Sequence, residues 1–234
     1  TLGQVLLRLS PPDNERLSRG DTFVKQVGGA ELNVAVGAAL LGLHTGVISK
    51  LPAHDIGSFM KGKIRSFGVS DDFFMYDQSP AARVGIYYYE NGAYPRKPKV
   101  IYDRNHSSFF SLDIDEIPEE VYTASKCFHT TGITLALNED IRETTIEMIK
   151  RFKAAGTLVS FDVNFRGNLW TGDQARECIL RILPYVDIFF CSEDTARLTF
   201  LKTGTAREMM KSFTEEFPIS IVASTQRIVH SPKR

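Results

Sequence analysis

Apolar and polar positions follow a repeating order along the second half of the chain. Short apolar runs, typical of strands covered on both faces, alternate with segments in which apolar residues recur at helical spacing. The strands are predicted at 126–130, 157–163, 187–191 and 219–223, and the helices at 138–156, 173–183 and 205–216. Asn138 and Gly156 are the expected ends of the first helix. This order predicts β-α units and therefore an α/β fold with a parallel sheet between helices.

The stretch from 70 to 112 follows a different pattern. Its runs 83–89 and 99–102 are rich in β-branched and aromatic residues, and they flank a turn at 91–95. Because no helical segment separates the two runs, we expect an antiparallel pair. Such a pair needs another surface to cover its aromatic face. An edge hairpin without further function is the alternative.

Two adjacent glycines, Gly28 and Gly29, precede a segment whose apolar spacing predicts a helix up to about residue 40. Glycine lets the backbone come close to a ligand. Asn33 falls in the first turn of this helix, where free backbone N–H groups and an amide side chain can together hold a polyhydroxy ligand. An ordinary turn from strand to helix explains the same residues, and the two interpretations stay open here.

Composition narrows the class of protein. The chain has 234 residues, enough for one large domain or for one domain with a small appendage. Its 28 basic and 28 acidic residues balance, so we expect neither nucleic acid nor an anionic membrane as a partner. Residues 1–9 lack the features of a signal peptide and predict a strand. Three widely spaced cysteines suit reduced thiols in the cytoplasm, and their spacing predicts no metal site.

Polar side chains follow the predicted strand 157–163. Asp162, Asn164 and Arg166 come together at its end, where open parallel sheets bind ligands. The planar guanidinium of Arg166 suits a carboxylate, and Asn164 can serve hydroxyls or a phosphate. A structural ion pair between Asp162 and Arg166 is the alternative.

A second polar group, Ser192-Glu193-Asp194, follows the strand 187–191. Carboxylates at this place can order water around Mg²⁺. They can equally stand in the first turn of a helix, where negative charge is favourable. For Glu193 and Asp194 the helix interpretation is preferred, and no metal ligand is predicted.

The segment 28–57 carries a longer pattern, Gly28-Gly29-x-x-x-Asn33-x-Ala35, then Gly42, Ser49-Lys50-Leu51 and Asp55-x-Gly57. This pattern resembles the first signature of the ribokinase-like (PfkB) carbohydrate kinases. The resemblance implies that Gly28, Gly29 and Asn33 contact a sugar. Pro52 stands where that family usually has glycine, which predicts a stiffer loop.

Further runs at 85–87, 100–104, 129–137 and 162–170 are similar to the 2-keto-3-deoxygluconate kinases of that family, and the similarity covers essentially the whole chain. The resemblance implies that Tyr87, Tyr102 and Arg104 contribute to the sugar site. It places Arg104 and Arg166 around the carboxylate of an acid sugar. A neutral sugar has no negative charge with which two arginines could pair.

For fold and assembly, the resemblance implies one ribokinase-like domain over 1–234, with a three-layer α/β/α arrangement around a parallel sheet. A small antiparallel β lid is expected from insertions at about 14–27 and 80–105. In the family this lid covers the sugar and is often shared with a second subunit. The resemblance therefore implies a homodimer formed through the lid.

For the chemistry, the resemblance implies transfer of the ATP γ-phosphoryl group to a primary hydroxyl, with Mg²⁺ bridging the phosphates. Asn164, Ser192 and Thr225 match positions near the nucleotide. The family's N-x-x-E motif is altered, since its Asn position is Ser192 and its Glu position is Thr195. Gln226-Arg227 also replaces the usual Leu-Gly after Thr225.

The second family signature, D-T-x-G-A-G-D, supplies the catalytic Asp and is expected beyond Arg234. No catalytic residue is therefore predicted within the chain. We expect a C-terminally incomplete domain that exposes an apolar edge and face and turns over no ATP by itself. A fructokinase- or ribokinase-type enzyme, with Arg104 in a structural role, is one alternative. An inactive homologue that binds a sugar acid is another.

Overall fold

The computed structural model describes residues 1–226. They form two compact units. Of the described residues, unit 1 holds Thr1 and Gly3–Leu112, and unit 2 holds Leu2 and 113–226. The elements of unit 1 are β1 (Leu6–Ser10), β2 (Val24–Gly28), α1 (Ala30–Leu40), β3 (Thr45–Gly46), β4 (Ser49–Pro52), α2 (Asp55–Ser66), β5 (Val69–Ser70), β6 (Phe74–Asp77), β7 (Gly85–Glu90) and β8 (Lys99–Asp103).

A four-stranded sheet in the order β2-β1-β7-β8, which we call the mixed sheet, dominates unit 1. Strand β1 runs antiparallel to β2 and parallel to β7, while β7 and β8 form the hairpin expected from the sequence. The position of β1 between β2 and β7 was not predicted, because an apolar run in the sequence does not indicate which strands it pairs with. The lid boundaries 14–27 and 80–105 stay a prediction.

The core of unit 1 lies where α1 and α2 meet strands of this unit. Leu32, Met60 and Ile64 from the two helices are buried there with Leu7 and Leu51. Two short parallel pairs, β3–β5 and β4–β6, complete the unit.

Helix α2 begins tightly against the end of β4. A Cβ atom at Gly57 would lie 2.0 Å from the carbonyl oxygen of Pro52, so only glycine allows this approach. His54 caps the helix by accepting a hydrogen bond from the Ile56 N–H at 3.2 Å. The Asp55-x-Gly57 pattern therefore has a packing reason at this turn.

Unit 2 alternates strands and helices, as the sequence pattern predicts. Its elements are β9 (Cys127–Thr131), α3 (Gly132–Leu135), α4 (Glu139–Ala154), β10 (Leu158–Asp162), α5 (Gly172–Leu180), β11 (Ile188–Phe190), α6 (Glu193–Leu198), α7 (Ala206–Glu216) and β12 (Ile221–Ala223). The strands form one parallel sheet in the order β12-β11-β10-β9. The α/β class is confirmed.

The ends of α4 match the sequence expectation. The side chain of Asn138 accepts a hydrogen bond from the Ile141 N–H at 2.9 Å, and Gly156 has a φ of 83° just beyond the helix. Helix α5 is shorter than predicted and ends at Leu180. A 3-10 turn at Leu183–Tyr185, which contains Pro184, follows it.

The register of the parallel strands brings their carboxyl ends to one edge. Asp162 on β10 pairs with Thr131 on β9 and with Phe190 on β11, and Phe190 pairs with Ala223 on β12. On one face of this sheet Leu158, Phe190 and Ile221 are exposed. Among the helices within residues 1–226, none has the length and apolar character needed to cross a bilayer.

Candidate functional site

Gly28 ends β2 beside the side chain of Tyr87 on β7. A Cβ atom at residue 28 would lie 2.4 Å from the Tyr87 hydroxyl oxygen, so the glycine leaves room for the phenol. Tyr87 pairs with Tyr102 across the hairpin, and their ring centroids are 5.9 Å apart. Burial raises the pKa of Tyr87. Its hydroxyl therefore keeps its proton at neutral pH and can donate a hydrogen bond.

Gly29 is the residue before α1 and has a φ of 153°, a region that favours glycine. A Cβ atom here would lie 2.8 Å from the carbonyl oxygen of Gln4. Asn33 is exposed in the first turns of α1, and its backbone N–H donates to the Gly29 carbonyl oxygen at 2.9 Å. That backbone group is therefore used within the helix, and the side-chain amide of Asn33 is the part left for a ligand.

Arg104 follows β8 and is held by a single amide. Its Nε donates to Oε1 of Gln4 at 2.7 Å, and Nε2 of Gln4 donates to the Arg104 carbonyl oxygen at 3.1 Å. The same Nε2 donates to Oγ of Ser107 at 2.6 Å. The guanidinium carbon lies 5.6 Å from the centre of the Tyr102 ring. These contacts fix the guanidinium through its Nε edge.

Two opposing effects act on the charge of Arg104. Burial lowers the pKa of Arg104, and the negative charge of Glu31 acts in the opposite direction. Within residues 1–226 no carboxylate forms an ion pair with Arg104 at 4.0 Å or less. An arginine stays charged in proteins, so a partly buried guanidinium without such a partner can accept a ligand carboxylate.

The polar residues at the end of β10 do not form the ion pair between Asp162 and Arg166 that was the alternative expectation. Oδ1 of Asp162 accepts a hydrogen bond from the Asn164 N–H at 2.9 Å, and Asn164 has a φ of 39°. The exposed guanidinium of Arg166 donates from Nη1 to the Phe165 carbonyl oxygen at 3.0 Å. In the described part of the chain Asp162 and Arg166 form no ion pair. Burial raises the pKa of Asp162.

At the end of β11, Ser192 caps α6. Its Oγ accepts a hydrogen bond from the Thr195 N–H at 3.2 Å. Glu193 and Asp194 stand in the first turn of that helix, and Glu193 pairs with Arg197 at 3.1 Å. The helix interpretation of this acidic pair is confirmed.

A metal cage is not formed by these groups. Across residues 1–226 no three His, Cys, Asp or Glu side chains cluster in a way that could hold a metal ion. Mg²⁺ in phosphate chemistry is commonly held by one or two carboxylates together with substrate phosphates and water. These residues therefore do not fit a dedicated Mg²⁺ site.

Within each unit the structure brings together several residues expected from the sequence. In unit 1 the cluster consists of Gly28, Gly29, Tyr87, Tyr102 and Arg104. In unit 2, Asn164, Ser192 and the exposed Thr225 follow three adjacent parallel strands at one edge, and Arg166 lies next to Asn164. Arg227, the altered position noted above, lies outside the described residues.

Two buried polar residues of unit 1 were not expected to belong to this cluster. Gln4 contacts Arg104, and Glu31 stands in the first turn of α1, where a Cβ atom at Gly3 would meet its carboxylate at 2.2 Å. Both are nearly inaccessible to solvent. The available signal was a polar side chain inside an apolar segment, which is costly to bury unless it has partners.

The comparisons with known proteins agree with this arrangement. Residues 1–226 match the pfkB family carbohydrate kinase, and the chain belongs to this family of phosphotransferases. A 2-dehydro-3-deoxygalactonokinase of Haloferax volcanii is 34% identical over 97% of the chain, which spans 70% of that protein. The probable fructokinase-3 of Arabidopsis thaliana is 30% identical over 82% of the chain, which spans 55% of the plant protein.

Solved structures give the same result for the fold. The chain is similar to a 2-dehydro-3-deoxygluconokinase of Thermotoga maritima, with a TM-score of 0.89 and 30% identity over 95% of this chain and 70% of that one. An uncharacterized sugar kinase of Pyrococcus horikoshii in complex with ATP has a TM-score of 0.74 and 25% identity, over 86% of this chain and 65% of that one. The ribokinase-like fold expected from the sequence is thus confirmed.

Proposed function

We propose that the protein is an ATP-dependent kinase of an acid sugar, with 2-dehydro-3-deoxygluconate (2-keto-3-deoxygluconate) as the first substrate to test. The observation that supports an acid rather than a neutral sugar is Arg104. Its guanidinium is partly buried, is held at Nε by Gln4, and has no carboxylate partner within residues 1–226. A charged, planar guanidinium without a carboxylate partner suits a planar carboxylate of a ligand.

The remaining residues of unit 1 fit the hydroxyl groups of such a substrate. Gly28 and Gly29 let the backbone approach the ligand, and the protonated hydroxyl of Tyr87 can donate a hydrogen bond. Asn33 offers an amide and Tyr102 a ring face beside Arg104. Arg166, in unit 2, is the second arginine proposed to contact the carboxylate.

For the nucleotide we propose the polar edge of the parallel sheet. Asn164, Ser192 and Thr225 follow adjacent strands there, and the carboxyl ends of parallel strands are the usual place for such ligands. In the reaction, the primary hydroxyl oxygen attacks the γ-phosphorus, the bond to the ADP oxygen breaks, and the hydroxyl proton passes to a base. Mg²⁺ bound to the ATP phosphates would supply positive charge there, and the described residues offer no dedicated site for it. None of the described residues is assigned as that base.

Two alternatives follow from the same family. A fructokinase-type enzyme would use the glycines and Asn33 in the same way, with Arg104 in a structural role. Relatives named as fructokinases make this a specific alternative. An inactive protein that binds a sugar acid would keep the Arg104 site without phosphoryl transfer.

Assembly through the mixed sheet is also proposed. Strand β8 stands at the edge of that sheet and exposes Val100, Ile101 and Tyr102. An exposed apolar edge strand favours pairing with another chain. We expect a homodimer at micromolar concentration by sedimentation, and Ile101→Lys should shift it to monomer. A wild-type monomer under these conditions would contradict the proposal. A cytoplasmic location stays a prediction.

Two measurements on the purified full-length protein test the proposed function. Calorimetric titration compares 2-dehydro-3-deoxygluconate with fructose, a ketose of equal carbon number that has a hydroxymethyl group in place of the carboxylate and a hydroxyl group at C3. Coupled ADP detection then follows turnover with each sugar. Tight binding of the acid with ADP formation supports the kinase, and binding without ADP formation supports the inactive binder. Equal or stronger binding of fructose would reject the acid-sugar assignment.

A further inference from the structure

We infer that Gln4 is a positioning residue that makes the site selective for an acid sugar, an inference that rests on the proposed function. Gln4 is buried just before β1, and Arg104 follows β8 a hundred residues later in the chain. Gln4 acts through Arg104: it sets the direction of the guanidinium and leaves its positive charge for the ligand.

The first argument is the number of contacts that one side chain makes to one residue. Gln4 accepts from Nε of Arg104 at 2.7 Å and donates to the backbone carbonyl oxygen of Arg104 at 3.1 Å. Its second amide hydrogen goes to Ser107 Oγ at 2.6 Å. Both ends of the Gln4 amide are therefore used. With Nε held, the two terminal nitrogens of Arg104 are the edge that can bind a carboxylate in a bidentate way.

The second argument is that the neutral amide matches both contacts. The Arg104 carbonyl oxygen only accepts and Nε only donates, so the side chain at residue 4 must present both a donor and an acceptor, which an amide does and an ionised carboxylate does not. A carboxylate at residue 4 could accept from Nε, but its other oxygen would face the carbonyl oxygen. It would also place a negative charge on Arg104 and compete with the substrate carboxylate.

The third argument is that β7, which lies between β1 and β8, leaves space for the contact between Gln4 and Arg104. Gly85 on β7 pairs with Leu6 on β1. A Cβ atom at Gly85 would lie 2.8 Å from Nε2 of Gln4 and 2.6 Å from Cδ2 of Leu6. The same Cβ atom would lie 3.4 Å from Cα of Arg104. A side chain at residue 85 would therefore occupy the path by which Gln4 reaches Arg104.

The test measures binding of two sugars to three variants by calorimetry. Gln4→Glu keeps the shape and adds a charge, Gln4→Met removes the hydrogen bonds without adding a charge, and Gln174→Glu is the control. Gln174 closes the capping box of α5 in unit 2, where Glu serves equally well. Thermal melting of each variant establishes that it is folded. The ligands are 2-dehydro-3-deoxygluconate and fructose.

We expect Gln4→Glu to weaken binding of the acid sugar at least tenfold while changing that of fructose less than twofold. The reason is that the new carboxylate would compete for Arg104, so the ligand would lose its hydrogen bond to a charged group. Gln4→Met should weaken binding of the acid selectively but less, and it decides the question if Gln4→Glu does not fold. Gln174→Glu should bind both sugars like the wild type.

Equal weakening of both sugars would show a merely structural role for Gln4 and would overturn the inference. Unchanged binding of the acid by a folded Gln4 variant would overturn it as well. Both outcomes leave the proposed function intact if the wild type prefers the acid. A wild type that prefers fructose would instead reject the proposed function, and this inference with it.

Discussion

The hydroxyl oxygen of Tyr87 occupies the space that a side chain at residue 28 would need. A Cβ atom at Gly28 would lie 2.4 Å from this oxygen and 3.1 Å from the nearest ring carbons. The two residues sit on β2 and β7, which are separated by β1 in the mixed sheet. The glycine therefore makes room for Tyr87, and it is also proposed to let the backbone approach the sugar.

Gly28→Ala should force the phenol to move. We expect a loss of about 1–3 kcal/mol in the free energy of unfolding, as for other overpacked sites, and weaker sugar binding. Urea unfolding provides the measurement. In the background of Tyr87→Phe the same substitution should cost less, because the closest atom is gone. Equal costs in both backgrounds would show that the hydroxyl is not the source of the strain.

Arg166 and Arg104 are proposed to share one carboxylate. Arg166→Ala should raise Kd for 2-dehydro-3-deoxygluconate at least tenfold, since a charge-assisted bond contributes about 1.5–3 kcal/mol. Arg176→Ala, which removes an exposed arginine paired with Asp173, is the matched control and should change little.

A double-mutant cycle tests the sharing directly. If both arginines contact the same group, Arg104→Ala and Arg166→Ala together should depart from additivity by more than about 0.5 kcal/mol. Calorimetric titration of the two single variants and the double variant gives this value. Additive effects would mean that the arginines act on separate parts of the ligand or that one of them does not bind it.

Gly132 begins α3 against the chain that leaves β10. A Cβ atom here would lie 2.2 Å from the Val163 carbonyl oxygen, and a backbone atom cannot move aside as a flexible side chain can. Gly132→Ala should therefore destabilise unit 2 by about 1–3 kcal/mol.

The matched control for Gly132 is Gly62→Ala in α2. No atom lies within 4 Å of the added Cβ there, and alanine in a helix should stabilise by about 0.5–1 kcal/mol. Chemical denaturation compares the two variants with the wild type. A Gly132→Ala protein as stable as the wild type would contradict the packing described for this turn.

His129 predicts how stability depends on pH. Burial lowers the pKa of His129 to about 4, while Nδ1 contacts Ser160 Oγ at 2.9 Å and Nε2 has no partner within residues 1–226. The unfolded chain binds a proton near pH 6.5, but the folded chain does so only near pH 4. The stabilising effect of neutral His129 is therefore complete above pH 6.5 and declines as the pH falls towards 4.

The expected loss over this range is about 3 kcal/mol, at roughly 1.4 kcal/mol per pH unit. Denaturant unfolding at pH 7 and pH 4.5 measures it for the wild type and for His129→Asn. The asparagine variant should lose less stability between the two pH values. The same decline in both proteins would show that other groups cause it.

Unit 2 could be predicted from sequence because its signals are local. Asn138, Gly156 and the apolar spacing between them act within a few residues, and each strand of the parallel sheet is an apolar run with its own helix. The expected helix beyond residue 180 is one departure: there the chain turns through a 3-10 segment at Leu183–Tyr185. The short helix α3 was not predicted either.

The candidate site was only partly predictable for the opposite reason. The glycines, Tyr87, Tyr102 and Arg104 were recognised through motifs that resemble a family. Gln4 contacts Arg104 across a separation of 100 residues, and Gly85, which leaves space for the contact, lies on β7. The spacing of apolar residues in the sequence does not predict such a contact, because the contact depends on strand register and not on neighbours in sequence.

The interior position of β1 in the mixed sheet limits how this part of the molecule can be engineered. Its partners are β2 on one side and β7 on the other. Removing the β7–β8 hairpin would leave β1 with an unpaired edge, and transplanting the hairpin alone would leave Gln4 behind. A chimera that exchanges sugar specificity between homologues must therefore carry three separate pieces of chain, 3–10, 24–33 and 84–107, as one unit.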